Sequence, residues 1–136
     1  MKFNKLIPEL SVSDIKKSKE FYINVLGFSL EYERKKSRFA FLSFQGSQIM
    51  IEEINDTWKT SELEKPFGRG INFQIEVDDA EQLIKSLEKN SYHIKFPLKE
   101  SQYKVKDKLY CQKEFLVMDP DGYLLRFAQN LGIKKK

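Results

Sequence analysis

Residues 10–21, LSVSDIKKSKEF, and residues 73–84, FQIEVDDAEQLI, follow one plan: a short strand that ends in Val, an acidic start, then a helix. Upstream, 6–12 (LIPELSV) alternates apolar and polar residues as a half-buried strand does, with Pro8 at a position that suits strand entry or an edge. Ser13 falls at the helix N-cap, and Asp14 favours the positive end of the helix. Ile15, Lys19, Tyr22, Val25 and Leu26 keep near-helical spacing, and Gly27 supplies the left-handed residue that stops a helix. Strand-like stretches follow at 28–34, 38–44 and 47–54, with Gly46 as a hairpin turn.

The same order then returns. Residues 71–77 (INFQIEV) read as a strand. Asp78 or Asp79 caps a helix whose apolar face is Ala80, Leu83, Ile84 and Leu87, and Asn90 ends it. Strand-like segments lie near 92–96, 112–119 and 122–129; Asp119-Pro120-Asp121-Gly122 separates the last two with type I turn chemistry. The chain is therefore βαβββ twice: module one at about 5–54, an ordered linker at 55–70 containing Trp58, module two at about 71–131, and a basic tail at 132–136. Neither half can cover both faces of its sheet alone, so an α+β domain of two curled sheets enclosing a cavity is expected.

Composition narrows the functional classes. The chain has 136 residues, 40% hydrophobic and 13% aromatic, enough for a core and unlike a disordered chain. No apolar run reaches the roughly 20 residues of a membrane span, and 1–5 lacks a signal-type apolar stretch. One cysteine, Cys111, and one histidine, His93, leave no disulfide within the chain and no multi-His metal site; a reducing, cytoplasmic setting is expected. Cys111 has no nearby His in sequence to activate it, and His93 reads as exposed. The net charge is +4, of which Lys134, Lys135 and Lys136 supply three as a frayed tail. Segment 95–113 holds six lysines against two acids and reads as a solvated loop; no stacking motif or recognition helix accompanies it, so nucleic acid is not the expected partner.

Three stretches carry a family resemblance: LSVSDIKKSKEFYINVLGF at 10–28, GINFQIEVDDAEQL at 70–83, and EFLVMDPDGYLLRFAQN at 114–130. Together they make the chain similar to the vicinal-oxygen-chelate superfamily of glyoxalase I, fosfomycin-resistance proteins, extradiol dioxygenases and bleomycin-resistance proteins. The resemblance implies two βαβββ modules in a curled mixed sheet, forming a dimer with strand exchange. In metal-dependent members one ligand comes from each of four strands, and those positions fall here on Ile7, Glu52, Asn72 and Arg126. Ile7 has no lone pair, and Arg126 is a permanent cation that would repel a divalent ion. Glu9, two residues from Ile7, adds one oxygen donor but does not complete a set. The expectation is therefore no metal, no cofactor and no catalytic residue. A glyoxalase-type lyase or thiol transferase, with a metal on Glu9, Glu52 and a partner subunit, is the alternative.

The chain most resembles the bleomycin-resistance proteins, in the EF before DPDG, the final LLR…QN, Tyr110 before Glu114-Phe115, and Glu31-Tyr32 after LGF. The resemblance implies a dimer that sequesters a drug unaltered in clefts between subunits. Expected ligand contacts are Glu31, Tyr32, Phe41, Glu52, Trp58, Asn72, Tyr110 and Arg126. Alternation sets Leu124, Arg126 and Ala128 on one strand face. Glu52, Asn72 and Arg126 form either a polar floor for a ligand or a Glu52–Arg126 ion pair supported by Asn72; both readings stand. Phe39, Phe41, Trp58 and Tyr110 are candidate flat walls, one of the two phenylalanines serving the core instead. The ligand class is an aromatic or glycopeptide antibiotic or an aromatic metabolite. Bleomycin is cationic and this chain basic, so an anionic or zwitterionic aromatic ligand suits the overall charge better.

Overall fold

Alternation and tight turns produce two sheets of identical plan. The computed structural model describes residues 1–135, and Lys136 lies outside them. In chain order the elements are β1 (Glu9–Val12), α1 (Ile15–Lys19) running into a π-helical segment (Glu20–Val25), β2 (Ser29–Arg34), a 3-10 turn (Lys35–Ser37), β3 (Phe39–Phe44), β4 (Ser47–Glu53), β5 (Asn72–Glu76), α2 (Ala80–Lys89), β6 (Ile94–Val105), β7 (Lys108–Met118) and β8 (Leu124–Lys135). The sheet orders are β1-β4-β3-β2 and β5-β8-β7-β6. In each, the outer strand preceding the helix pairs parallel and the other neighbours pair antiparallel.

The chain divides into two compact units: 1–67 with Asp119–Gly122, and 68–118 with the chain from Tyr123 onward. In the first unit, Leu10, Val12, Ala40, Leu42, Ile49 and Ile51 are buried on one face of the sheet, and Phe21, Tyr22 and Val25 are buried on the helical segment. Each of the leucine, isoleucine, valine and phenylalanine side chains among them contributes about 1.5–3 kcal/mol on burial. The helical segment reaches this depth by widening after Lys19, where the Leu26 amide donates to the Phe21 carbonyl at 3.0 Å, a π-type bond. The β3–β4 turn puts Gln45 and Gly46 at φ 47° and 88°, the left-handed pair that a two-residue hairpin turn demands. In the second unit, Ile75, Phe115, Val117, Leu125 and Phe127 are buried on the sheet, and Ala80, Leu83 and Leu87 on α2.

Several expectations need correction. The cap of α1 is Asp14, whose carboxylate accepts from the Lys16 and Lys17 amides at 3.0 and 3.2 Å. Ser13 instead donates through its amide, at 3.0 Å, and its hydroxyl to Asp121. At α2 the cap is Asp79, and Asn90 ends the helix as expected. The first strand starts at Glu9 rather than residue 6. The lysine-rich stretch 95–113 is no loop: it is the β6–β7 hairpin. Nor is the basic tail frayed, since β8 runs through Lys135, which lies in register with Lys108; of the tail only Lys136 falls outside the described residues.

The DPDG turn is a buried clip within the first unit. Asp119 accepts from the Tyr22 hydroxyl at 2.8 Å and from the Asp121 amide at 2.9 Å, and Asp121 holds Ser13. Gly122 has φ 98°, and a Cβ there would lie 2.6 Å from Pro66 Cα, so glycine is required on both counts.

Candidate functional site

Register places Glu9, Met50, Glu52, Phe41, Tyr32 and Arg34 on the face of the first sheet opposite α1. A bulge in β2 at Glu31 turns that carboxylate to Ser43, whose hydroxyl donates to it. Bulges of this kind re-aim side chains at sheet edges. Tyr32 stacks on Phe41 with ring centroids 5.2 Å apart, and Phe3 meets Phe41 edge-on at 5.4 Å. Phe41 is only 1% exposed, and Phe39 is buried as well, so both phenylalanines serve packing where one was expected to form a wall. The Arg34 guanidinium lies 4.0 Å from the Phe39 ring centroid.

Glu52 accepts from Asn55 Nδ2 at 2.6 Å. The same Asn55 side chain accepts from the Thr57 and Trp58 amides at 2.9 and 3.3 Å, a local turn that sets the position of Trp58. One residue thus ties Glu52 to the 60% exposed Trp58. Asn55 escaped the sequence reading because an asparagine after a strand signals only a turn.

Burial, then repulsion from Glu52, hold the Glu9 carboxyl above the usual carboxylate range against the opposing pull of Arg34. A carboxyl raised in the folded state contributes stability below its unfolded value, and that contribution is lost as pH rises through the folded value. Glu9→Gln is therefore expected to raise Tm slightly at pH 7, with the gain vanishing as pH falls below the ordinary value of 4.5; thermal melts at both pH values check it.

The second unit carries a different arrangement. Arg126 has Gln74 and Leu116 as cross-strand neighbours, and Asn72, two residues before Gln74 and on the same strand face, is exposed beside Leu124. Within its own unit the ion-pair partner of Arg126 is Glu114, at 3.4 Å. Glu114 also accepts from Gln112 at 2.8 Å and from the Tyr103 hydroxyl. Burial pushes its carboxyl up, but the bonds from Tyr103 and Gln112 and the Arg126 charge outweigh that and hold it below the usual range. Phe96, Pro97, Lys99, Leu116 and Arg126 surround Glu114 in a recess of about 270 Å³. Tyr110 lies further along β7, half-exposed, opposite Tyr103 and Ile133. Tyr103, Gln112 and Glu114 went unseen in the sequence because only the β6–β7–β8 register brings them to Arg126.

Among the described residues no group of three or more His, Cys, Asp and Glu side chains is placed to hold a metal ion, and no helix is long and apolar enough to cross a membrane. Cys111 is buried and His93 exposed.

The model of the Glyoxalase/Bleomycin resistance protein/Dioxygenase superfamily matches residues 4–127. Proteins named bleomycin resistance protein from Geobacillus stearothermophilus and Staphylococcus aureus are each 30% identical over 135 residues, covering 92% of this chain and 96% of theirs. TioX from Micromonospora sp. ML1 shares the fold with a TM-score of 0.73 at 19% identity, over 95% of this chain and all of that one (100%). A protein of unknown function from Agrobacterium tumefaciens has a TM-score of 0.70 at 26% identity, over 96% and 95% of the two chains. With the doubled βαβββ plan, the match along nearly the whole chain means that this protein belongs to the glyoxalase/bleomycin resistance protein/dioxygenase superfamily.

Proposed function

We propose that the protein binds and sequesters a cationic, bleomycin-type small molecule without altering it, as a cytoplasmic homodimer whose clefts are completed by the second copy. One observation carries this reading: the first sheet presents Glu9, Glu31 and Glu52 beside Tyr32 on a face with Arg34 as its single cation among these residues. Carboxylates that repel each other gain from an incoming cation, and an aromatic ring gives a planar ligand a surface. The kinship with bleomycin resistance proteins points the same way. The overall charge of +4 no longer argues against a cation, because that total says nothing of this face. Proposed contacts on the first unit are Glu31, Tyr32, Glu52 and Trp58; on the second unit, taken by itself, Asn72, Tyr110 and Arg126 are the proposed contacts. Phe41 acts by backing Tyr32.

The test is a calorimetric titration with metal-free bleomycin in the presence of a chelator, followed in parallel by Trp58 fluorescence. Saturable binding near one ligand per chain is expected; an absence of heat and of fluorescence change would sink the reading. Trp58→Ala and Tyr110→Ala remove exposed aromatics, so each should weaken binding about three- to tenfold and leave Tm within a degree or two. Unchanged affinity in both would remove these residues from the site.

A further inference from the structure

Two basic runs, KKSK at 16–19 and RKKSR at 34–38, lie far apart in sequence and are brought together on the first unit. They surround a recess of about 310 Å³ lined by Lys16, Lys19, Lys35 and Arg38, with Glu33 as the only acid and Ile15 and Phe39 as apolar lining. Two of the four cations are already matched: Lys19 pairs with Glu33 at 2.8 Å, and Arg38 with Glu53 at 3.1 Å. Lys16 and Lys35 make no ion pair among the described residues. Both side chains are exposed, and Lys17 and Lys36 add positive charge beside them. Arg38, at φ 53°, is the left-handed residue that ends the 3-10 turn, which fixes where its backbone sits beside the recess.

We propose that this recess binds a small organic phosphomonoester. At pH 7 such a group carries close to two negative charges, which match the two unpaired lysines. The recess is at the lower end of the size range for small-molecule sites, and its apolar lining suits a compact organic body. Glu33, on the same strand as Tyr32 and Arg34 but alternate to them, marks the recess as lying on the helix side of the sheet. The recess shares only Phe39 with the acidic face, where that ring meets Arg34, and the proposal does not rest on the reading above.

The experiment is a two-dimensional amide NMR titration of the full chain with phenyl phosphate and, separately, inorganic phosphate, at matched ionic strength. Saturable shifts confined to 15–19 and 33–39 are expected, with phenyl phosphate binding several-fold tighter and both weakening as salt is raised. The variant Lys16→Glu/Lys35→Glu should raise Kd at least about tenfold, and Lys16→Gln/Lys35→Gln should do so in part, with the remaining spectrum unchanged in each. Shifts that do not saturate, or that persist in both variants, overturn the site. Equal affinity for the two probes overturns the assignment to an ester.

Discussion

Replacing Asp121 with alanine is expected to remove about 2–3 kcal/mol of stability, a substantial share of what a domain of this size has. The carboxylate is 1% exposed and carries a formal charge that water does not solvate. What compensates it is the Ser13 amide and hydroxyl, with the Lys65 ammonium at 3.7 Å. Alanine leaves the Ser13 amide without its acceptor, empties the space of the carboxylate, and loosens the turn that also holds Asp119 against Tyr22. Asp121→Asn keeps one oxygen acceptor and loses the charge, so its cost should fall between those of alanine and of the parent. Ser13→Ala removes the hydroxyl but keeps the amide bond and should cost about 1–2 kcal/mol. Urea unfolding of the three variants gives the order directly. An alanine variant within about 1 kcal/mol of the parent would show that the clip is dispensable.

That clip also shows how far the sequence could be read. DPDG announces a turn through its proline and glycine, and the turn is there. Nothing local announces that its second aspartate is buried against a serine 108 positions earlier. The strand order was legible because both modules repeat it and each core face alternates. The β6–β7 hairpin was not: between residues 99 and 108 every position but Tyr103 and Val105 is charged or polar, as suits an exposed strand, and the alternation that marks a half-buried one is too short to read. Site residues divide the same way. Glu52, Trp58 and Arg126 could be named from their place in a motif or from rarity. Asn55 and Glu114 could not, because their roles come from tertiary register. The charge is the clearest case. KKSK and RKKSR each look like ordinary solvated lysines, and Glu9, Glu31 and Glu52 like scattered acids. Only the pleat, which sends alternate residues to opposite faces, sorts Glu33 with the lysines and Tyr32 with the acids.

The largest effect expected on ligand binding comes from removing both charges that face each other on the first sheet. Glu9→Gln/Glu52→Gln keeps the size and much of the hydrogen bonding of each side chain, so the fold should survive, and it withdraws two negative charges from one face. Each single change should raise Kd for metal-free bleomycin several-fold, and the pair about 30- to 100-fold, the range in which close charge pairs act across an interface. The effect should shrink as salt is added. The diagnostic feature is a pair of opposite signs. Burial and repulsion from Glu52 raise the Glu9 carboxyl, so Glu9→Gln should make the empty protein slightly more stable at neutral pH while binding the cation less well. A carboxylate whose only role is structural would lose stability on that change and leave affinity alone. Calorimetric titrations and thermal melts on the same four proteins separate the two cases. Parent-like affinity in the double variant would exclude the acidic face as the binding surface. If, in addition, Arg126→Ala abolished binding, the ligand would belong to the second sheet, where Arg126 and Lys99 frame Glu114, and an anionic ligand would become the better match.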